Sequence, residues 1–128
     1  MKVLPALACV ALVCVCCNDF GPTGGRVCST EARVGIQITV RDARTGLPAA
    51  NNVIAIAQDN SFIDTLRTFP FGNPDSALTL HGVYERAGTY AVILKKSGYR
   101  DWIRTNVAVN RDECHVITVQ LDARLENL

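Results

Sequence analysis

The sequence predicts a single all-β domain, an antiparallel sandwich of seven or eight strands, and three observations carry that prediction. From Arg33 onward apolar residues recur with period two, the spacing at which alternate side chains of a strand share a face. Turn-forming residues interrupt that alternation every eight to twelve positions or so, the punctuation of an all-β sandwich. Beyond the N-terminal segment there is no helical periodicity, no heptad pattern and no internal repeat. With 128 residues the chain has room for one domain, which excludes a two-domain enzyme or a large barrel.

Each element can be justified in order. Val34, Ile36, Ile38 and Val40 share one parity, while Arg33, Gln37, Thr39 and Arg41 share the other, as in a strand with one wet face. Asp42 to Pro48 (DARTGLP) turns the chain, because Gly46 can take positive φ and Pro48 restarts an extended path. Val53 to Ala57 is continuously apolar and reads as a buried strand. Ser61 to Phe69 is mixed and reads as a more exposed one. Leu78, Leu80 and Tyr84 follow, then a turn at Ala87–Gly88 and a strand from Thr89 to Lys95 with Tyr90, Val92 and Leu94 on one face. After the turn KKSG (95–98), Tyr99 to Val109 places Ile103, Val107 and Val109 together. Cys114 to Leu125 places Ile117, Val119, Leu121, Ala123 and Leu125 together.

The N-terminus has one positive charge, Lys2, then an apolar run (VLPALACVALVCVCC) that breaks at Asn18 and Asp19, the organisation of a secretory signal. The run from Val3 to Cys17 carries Pro5 and falls short of the about 20 apolar residues that span a bilayer. This segment resembles a bacterial lipoprotein signal, in which cleavage precedes a cysteine that is then acylated. Cys17 is the favoured lipid attachment site because the polar chain begins directly after it; Cys9, Cys14 and Cys16 are the alternatives. The division expected is therefore a signal peptide over 1–16, a lipidated N-terminus and linker over 17–27, including the spacer-like FGPTGG, and a β-sandwich over 28–128. The resemblance implies export to the bacterial cell envelope and a membrane contact through the N-terminal lipid, two acyl chains making it stable.

Thirteen Lys and Arg against twelve Asp and Glu leave a net charge of +1, and loss of Lys2 would leave the domain neutral. There is no basic excess to hold nucleic acid by its phosphates. In an exported chain the two cysteines of the body, Cys28 and Cys114, are expected to form a disulfide. Its loop of about 87 residues would stabilise by roughly 4 to 5 kcal/mol at most on the chain-entropy model. A zinc site built with His81 and His115 is the competing idea, but these residues lack any short paired spacing.

DARTGLPA (42–49), AGTYAVILKKSGY (87–99) and the closing V-x-V strand are similar to the carboxypeptidase regulatory-like domain, an Ig-like, transthyretin-like seven-stranded sandwich. Asp42, Thr45, Gly46, Pro48, Gly88, Thr89, Tyr90, Gly98 and Tyr99 carry the likeness, over about Val34 to Leu125. The resemblance implies a non-catalytic folding, docking or spacer module and no cofactor. One group with that architecture, the transthyretin-like hydroxyisourate hydrolases, is enzymatic and ends Tyr-Arg-Gly-Ser, where this chain ends Leu125-Glu126-Asn127-Leu128.

Few residues invite a chemical role. His115 has the residue type of a general base, but spacing alone sets no Ser or Cys nucleophile beside it, so a hydrogen-bonded histidine at a strand start is expected. His81, out of parity with Leu80, reads as a surface residue. Glu85 and the pair Asp112–Glu113 fall in turns and read as solvated charges. FPFGNPD (69–75) interleaves two aromatics with Pro and Gly. Phe69 and Phe71 either cap an end of the sandwich or offer a surface for an envelope protein or a carbohydrate. Trp102, beside Arg100 and Arg104, either joins that kind of surface or turns inward after a bulge. The function expected is thus a lipid-anchored, non-catalytic envelope module, structural or binding. The alternatives are a small transthyretin-like hydrolase using His81 or His115, and an assembly factor of a surface complex.

Overall fold

The computed structural model describes Gly25 and residues 27–128. The signal peptide, Cys17 and most of the linker lie outside the described residues. The body is all-β: β1 (Ile36–Asp42), β2 (Ile54–Asp59), β3 (Phe62–Leu66), β4 (Thr79–Gly82), β5 (Gly88–Lys95), β6 (Trp102–Val109) and β7 (Val119–Leu125), with one 3₁₀ turn at Pro74–Ser76. Two sheets face each other, one in the order β4-β1-β7 and the other β3-β2-β5-β6. The strands pair antiparallel except for β1 with β7, which run parallel in register from Ile36 opposite Val119 to Asp42 opposite Leu125.

The period-two reading of β1 holds residue by residue. Ile36, Ile38 and Val40 are fully buried, and the residues between them are half-buried. They meet Ala55, Ala57, Tyr90, Val92 and Leu94 of the other sheet, with Leu80, Ala123 and Leu125 alongside, in one core cluster. Full burial of an Ile or Leu side chain contributes about 1.5 to 3 kcal/mol, so this cluster outweighs any single polar contact in the domain.

Three strands depart from the sequence expectation. In β2 the apolar run is not buried on both faces: Ala55 and Ala57 point inward, but Ile54 is 61% exposed. On that outer face Ile56 pairs with Ile93, and Ile93 with Ile103. In β6 a bulge changes the parity. Tyr90 pairs with Val107 but Val92 with Arg104, so β6 has one residue more than its partner, and Asn106 absorbs it at φ +56°. The bulge turns Trp102 toward the core, opposite buried Leu94, and leaves Ile103 58% exposed, correcting its assignment to the inner row of Val107 and Val109. The last strand begins at Val119, because residues 111–118 form an irregular hook closed by backbone bonds from Asp112 N–H to the His115 carbonyl and from Ile117 N–H to the Asn110 carbonyl. Ile117 is accordingly exposed.

The turn after β1 forms as its sequence requires. Asp42 Oδ1 accepts from the N–H groups of Arg44 and Thr45, both at 2.8 Å, and Gly46 sits at φ +73°. Tyr99 donates its hydroxyl to Asp42 Oδ2 at 2.7 Å, joining two motifs 57 residues apart. These bonds, led by that from Thr45 and then Tyr99, lower the Asp42 carboxyl to a pKa of about 2.

Candidate functional site

Two regions outside the core hold the candidate residues. The first is the segment between β3 and β4. Its base is clamped by a reciprocal backbone pair, Arg67 N–H to the His81 carbonyl at 2.9 Å and His81 N–H to the Arg67 carbonyl at 2.8 Å. Its far side is braced by Asn73, whose Oδ1 accepts from Asp75 N–H at 2.9 Å. Between clamp and brace, Phe69 is 59% exposed and Phe71 is 90% exposed. Phe71 does not cap the sandwich. The Phe69 ring lies over His81, with 4.1 Å between centroids. At the base of the loop, Val53, Leu66, Pro70 and Ala77 together with Asn51, Asn52 and Arg67 border an open hollow of about 530 Å³.

His81 corrects its assignment to the surface, since it is only 7% exposed. It sits where β4 meets β3 at the seam of the two sheets, so the parity that would face water is covered by the Arg67 bridge and the Phe69 ring. Burial pushes its imidazole below the ordinary value, against a hydrogen bond with the Arg67 backbone, and Nδ1 has no partner among the described residues. Trp102 does not join this surface. It is half-buried against the core, under the Arg104 guanidinium at 5.4 Å from the ring centroid. Its strand β6 lies at the opposite edge of the sheet from β3.

The second region surrounds the Cys28–Cys114 disulfide, which spans 86 positions with 5.2 Å between Cα atoms. Both cysteines are therefore unavailable as zinc ligands, and among the described residues no cluster of His, Cys, Asp and Glu is arranged to hold a metal ion. The disulfide sets Ser29 next to His115, with Ser29 Oγ 2.9 Å from His115 Nε2. On the other side of the ring, His115 Nδ1 is 2.7 Å from Glu85 Oε1. An ionised carboxylate only accepts, so Nδ1 carries the proton. In the neutral ring Nε2 then accepts the Ser29 hydroxyl proton.

Glu85 and His115 are each held by further hydrogen bonds. Glu85 occupies the turn between β4 and β5 at φ +52°, following Val83 at φ +56°, an unusual conformation for a β-branched residue. Asp64 Oδ2 secures that turn by accepting from Val83 N–H at 2.6 Å. Arg33 N–H donates to Glu85 Oε1 at 2.6 Å and Val116 N–H to Oε2 at 3.4 Å. The Arg33 bond, followed by that to His115, holds the Glu85 carboxyl below the usual range. Asp112 fixes the hook that carries His115, its Oδ1 accepting from the N–H groups of Cys114 and His115 at 2.8 and 2.9 Å. Those bonds lower its carboxyl in turn. Glu85 and Asp112 are thus built into hydrogen-bonded structure, not the freely solvated turn charges expected.

The spacing argument at His115 considered neighbours in sequence, and the fold supplies one from 86 positions away. A signal for it was present: a disulfide between Cys28 and Cys114 necessarily brings the following residues, Ser29 and His115, close together.

No protein-family model matches the chain, and no curated protein matches it in sequence. The disulfide is of the kind that persists in an oxidising, exported environment. Among the described residues no helix is long and apolar enough to cross a membrane.

Proposed function

We propose that this chain is an exported envelope module of the carboxypeptidase regulatory-like type, anchored by an acylated Cys17, that docks a protein partner through the loop carrying Phe69 and Phe71. The observation that carries the docking reading is the 90% exposure of Phe71 on a loop clamped at its base and braced at its far side. An aromatic ring held in water by a pre-ordered backbone loses little conformational freedom on association, and aromatic anchors in pockets dominate interface energies. The near-neutral charge of the chain and the exposed aromatic ring suit an apolar contact better than a charged one. The disulfide and the sequence of residues 1–17 support the export and anchoring half of the reading.

Two measurements test it. Intact mass of membrane-extracted protein should correspond to Cys17 onward plus acyl chains, with two hydrogens gained on reduction; an unlipidated mass would overturn the anchor. A photo-crosslinking residue at position 71 should capture one stoichiometric envelope protein in intact cells, and Phe69→Ser in the same background should abolish capture. Crosslinks to no protein, with Phe71 responding to an envelope glycan in solution, would replace the protein partner with a carbohydrate.

A further inference from the structure

The docking loop leaves the Ser29–His115–Glu85 row without a role, and its atoms have a specific chemical order. A hydroxyl meets one nitrogen of an imidazole at 2.9 Å, and a carboxylate meets the other at 2.7 Å. That is the arrangement by which a base activates a serine nucleophile while a third group orients the base. We infer that Ser29, His115 and Glu85 form an acyl-transfer site that hydrolyses carboxylic esters, with Ser29 as nucleophile and His115 as general base.

Further observations separate this row from an ordinary surface hydrogen bond. Ser29 is exposed, whereas His115 is only 8% exposed and Glu85 half-buried, so the nucleophile faces solvent while the proton relay behind it is shielded. Glu85 is kept ionised by a backbone donor, Arg33 N–H, that belongs to neither partner of the relay. It therefore fixes the tautomer of His115 and offsets the charge that develops on the ring. The disulfide joins the residues that directly precede the nucleophile and the base, restraining the separation of Ser29 and His115.

In the acylation step Ser29 Oγ bonds to the ester carbonyl carbon as Nε2 takes the hydroxyl proton. The carbon–oxygen bond to the leaving group then breaks, and His115 returns that proton to the departing alkoxide. Water attacks the acyl-Ser29 carbonyl with His115 again as base, the carboxylic acid leaves, and Ser29 regains its proton. The sum is ester plus water giving acid plus alcohol. Because Ser29 stands on the surface, the acyl group it takes is small, or is presented on a larger molecule; nothing in the geometry selects a long chain. Ser29 and His115 are the catalytic residues, and Glu85 is a positioning residue.

The experiment uses the full chain with its disulfide oxidised, p-nitrophenyl acetate as substrate and a fluorophosphonate as covalent probe. The expected result is a phosphonyl adduct on the peptide containing Ser29 and none on Ser61, Ser76 or Ser97, which serve as internal controls. Ester turnover should disappear in Ser29→Ala, an exposed substitution that leaves the core untouched, and fall at least about 100-fold in His115→Asn. Glu85→Gln should move the pH profile of turnover as well as lower its maximum, which loss of packing alone would not do. Reduction of the disulfide should remove labelling together with turnover. Labelling of Ser29 no faster than of the three control serines, or turnover unchanged in Ser29→Ala, overturns the inference. Neither result bears on the docking loop, whose crosslinking test is independent.

Discussion

The carboxyls of Asp42 and Glu85 are both lowered in pKa by the hydrogen bonds they accept, and they differ in how the chain reaches them. Asp42 is satisfied mainly by its own turn, from backbone N–H groups two and three positions on, with Tyr99 added from afar. Glu85 is satisfied entirely at a distance, by Arg33, His115 and Val116, each at least 30 positions away. The local cluster stabilises a turn and leaves its carboxylate no reactive neighbour. The distant one requires the whole sandwich before it exists, and it ends on an exposed hydroxyl. Groups assembled by tertiary structure alone can be aimed at something outside the domain, whereas a turn aims its groups at itself.

Breaking the disulfide should separate the two clusters most sharply. Cys28→Ser with Cys114→Ser is expected to cost about 4 kcal/mol on the chain-entropy model, read by urea unfolding. The Ser29–His115 contact should open while the Asp42–Tyr99 bond, followed by the Tyr99 ring signals, persists. Gly46→Ala acts on the other cluster. Nothing lies within 4 Å of the added methyl, so only the backbone conformation at φ +73° opposes it, at about 1 to 2 kcal/mol.

Acid should act more gently and on Asp42 first. Its folded pKa of about 2 lies below its ordinary value of 3.8, so its contribution is present above pH 4 and is lost as pH falls toward 2. Tyr99→Phe should narrow that dependence in an acid titration followed by circular dichroism. The smallest effect belongs to neither cluster. Phe71→Ser should leave the unfolding stability within about 0.5 kcal/mol of the parent while abolishing co-purification of the partner, since the ring is held in solvent.

The same contrast explains what the sequence revealed. The turn at Asp42 was legible because its spacing is its mechanism, and β1 because Ile36, Ile38 and Val40 repeat the geometry of a strand in their order. The inward turn of Trp102 and the exposure of Ile103 depended on a single extra residue at Asn106, a shift of register that alternation does not encode. His81 was misplaced because parity describes one sheet, and this residue lies where two sheets meet. The row at Ser29 was legible only in combination: the cysteine pairing was read, and its consequence for the residues beside each cysteine follows at once.

The parallel pairing of β1 with β7 has a consequence in time. Strand β1 lies between β4 and β7, so its sheet stays incomplete until Leu125 has been synthesised, and the linkage of Cys28 to Cys114 likewise waits for residue 114. Contacts this remote in sequence close slowly. Because β1 and β7 bracket the other strands in sequence, the sheet that holds them is the last part of the sandwich to close, after every strand of the opposite sheet has been made.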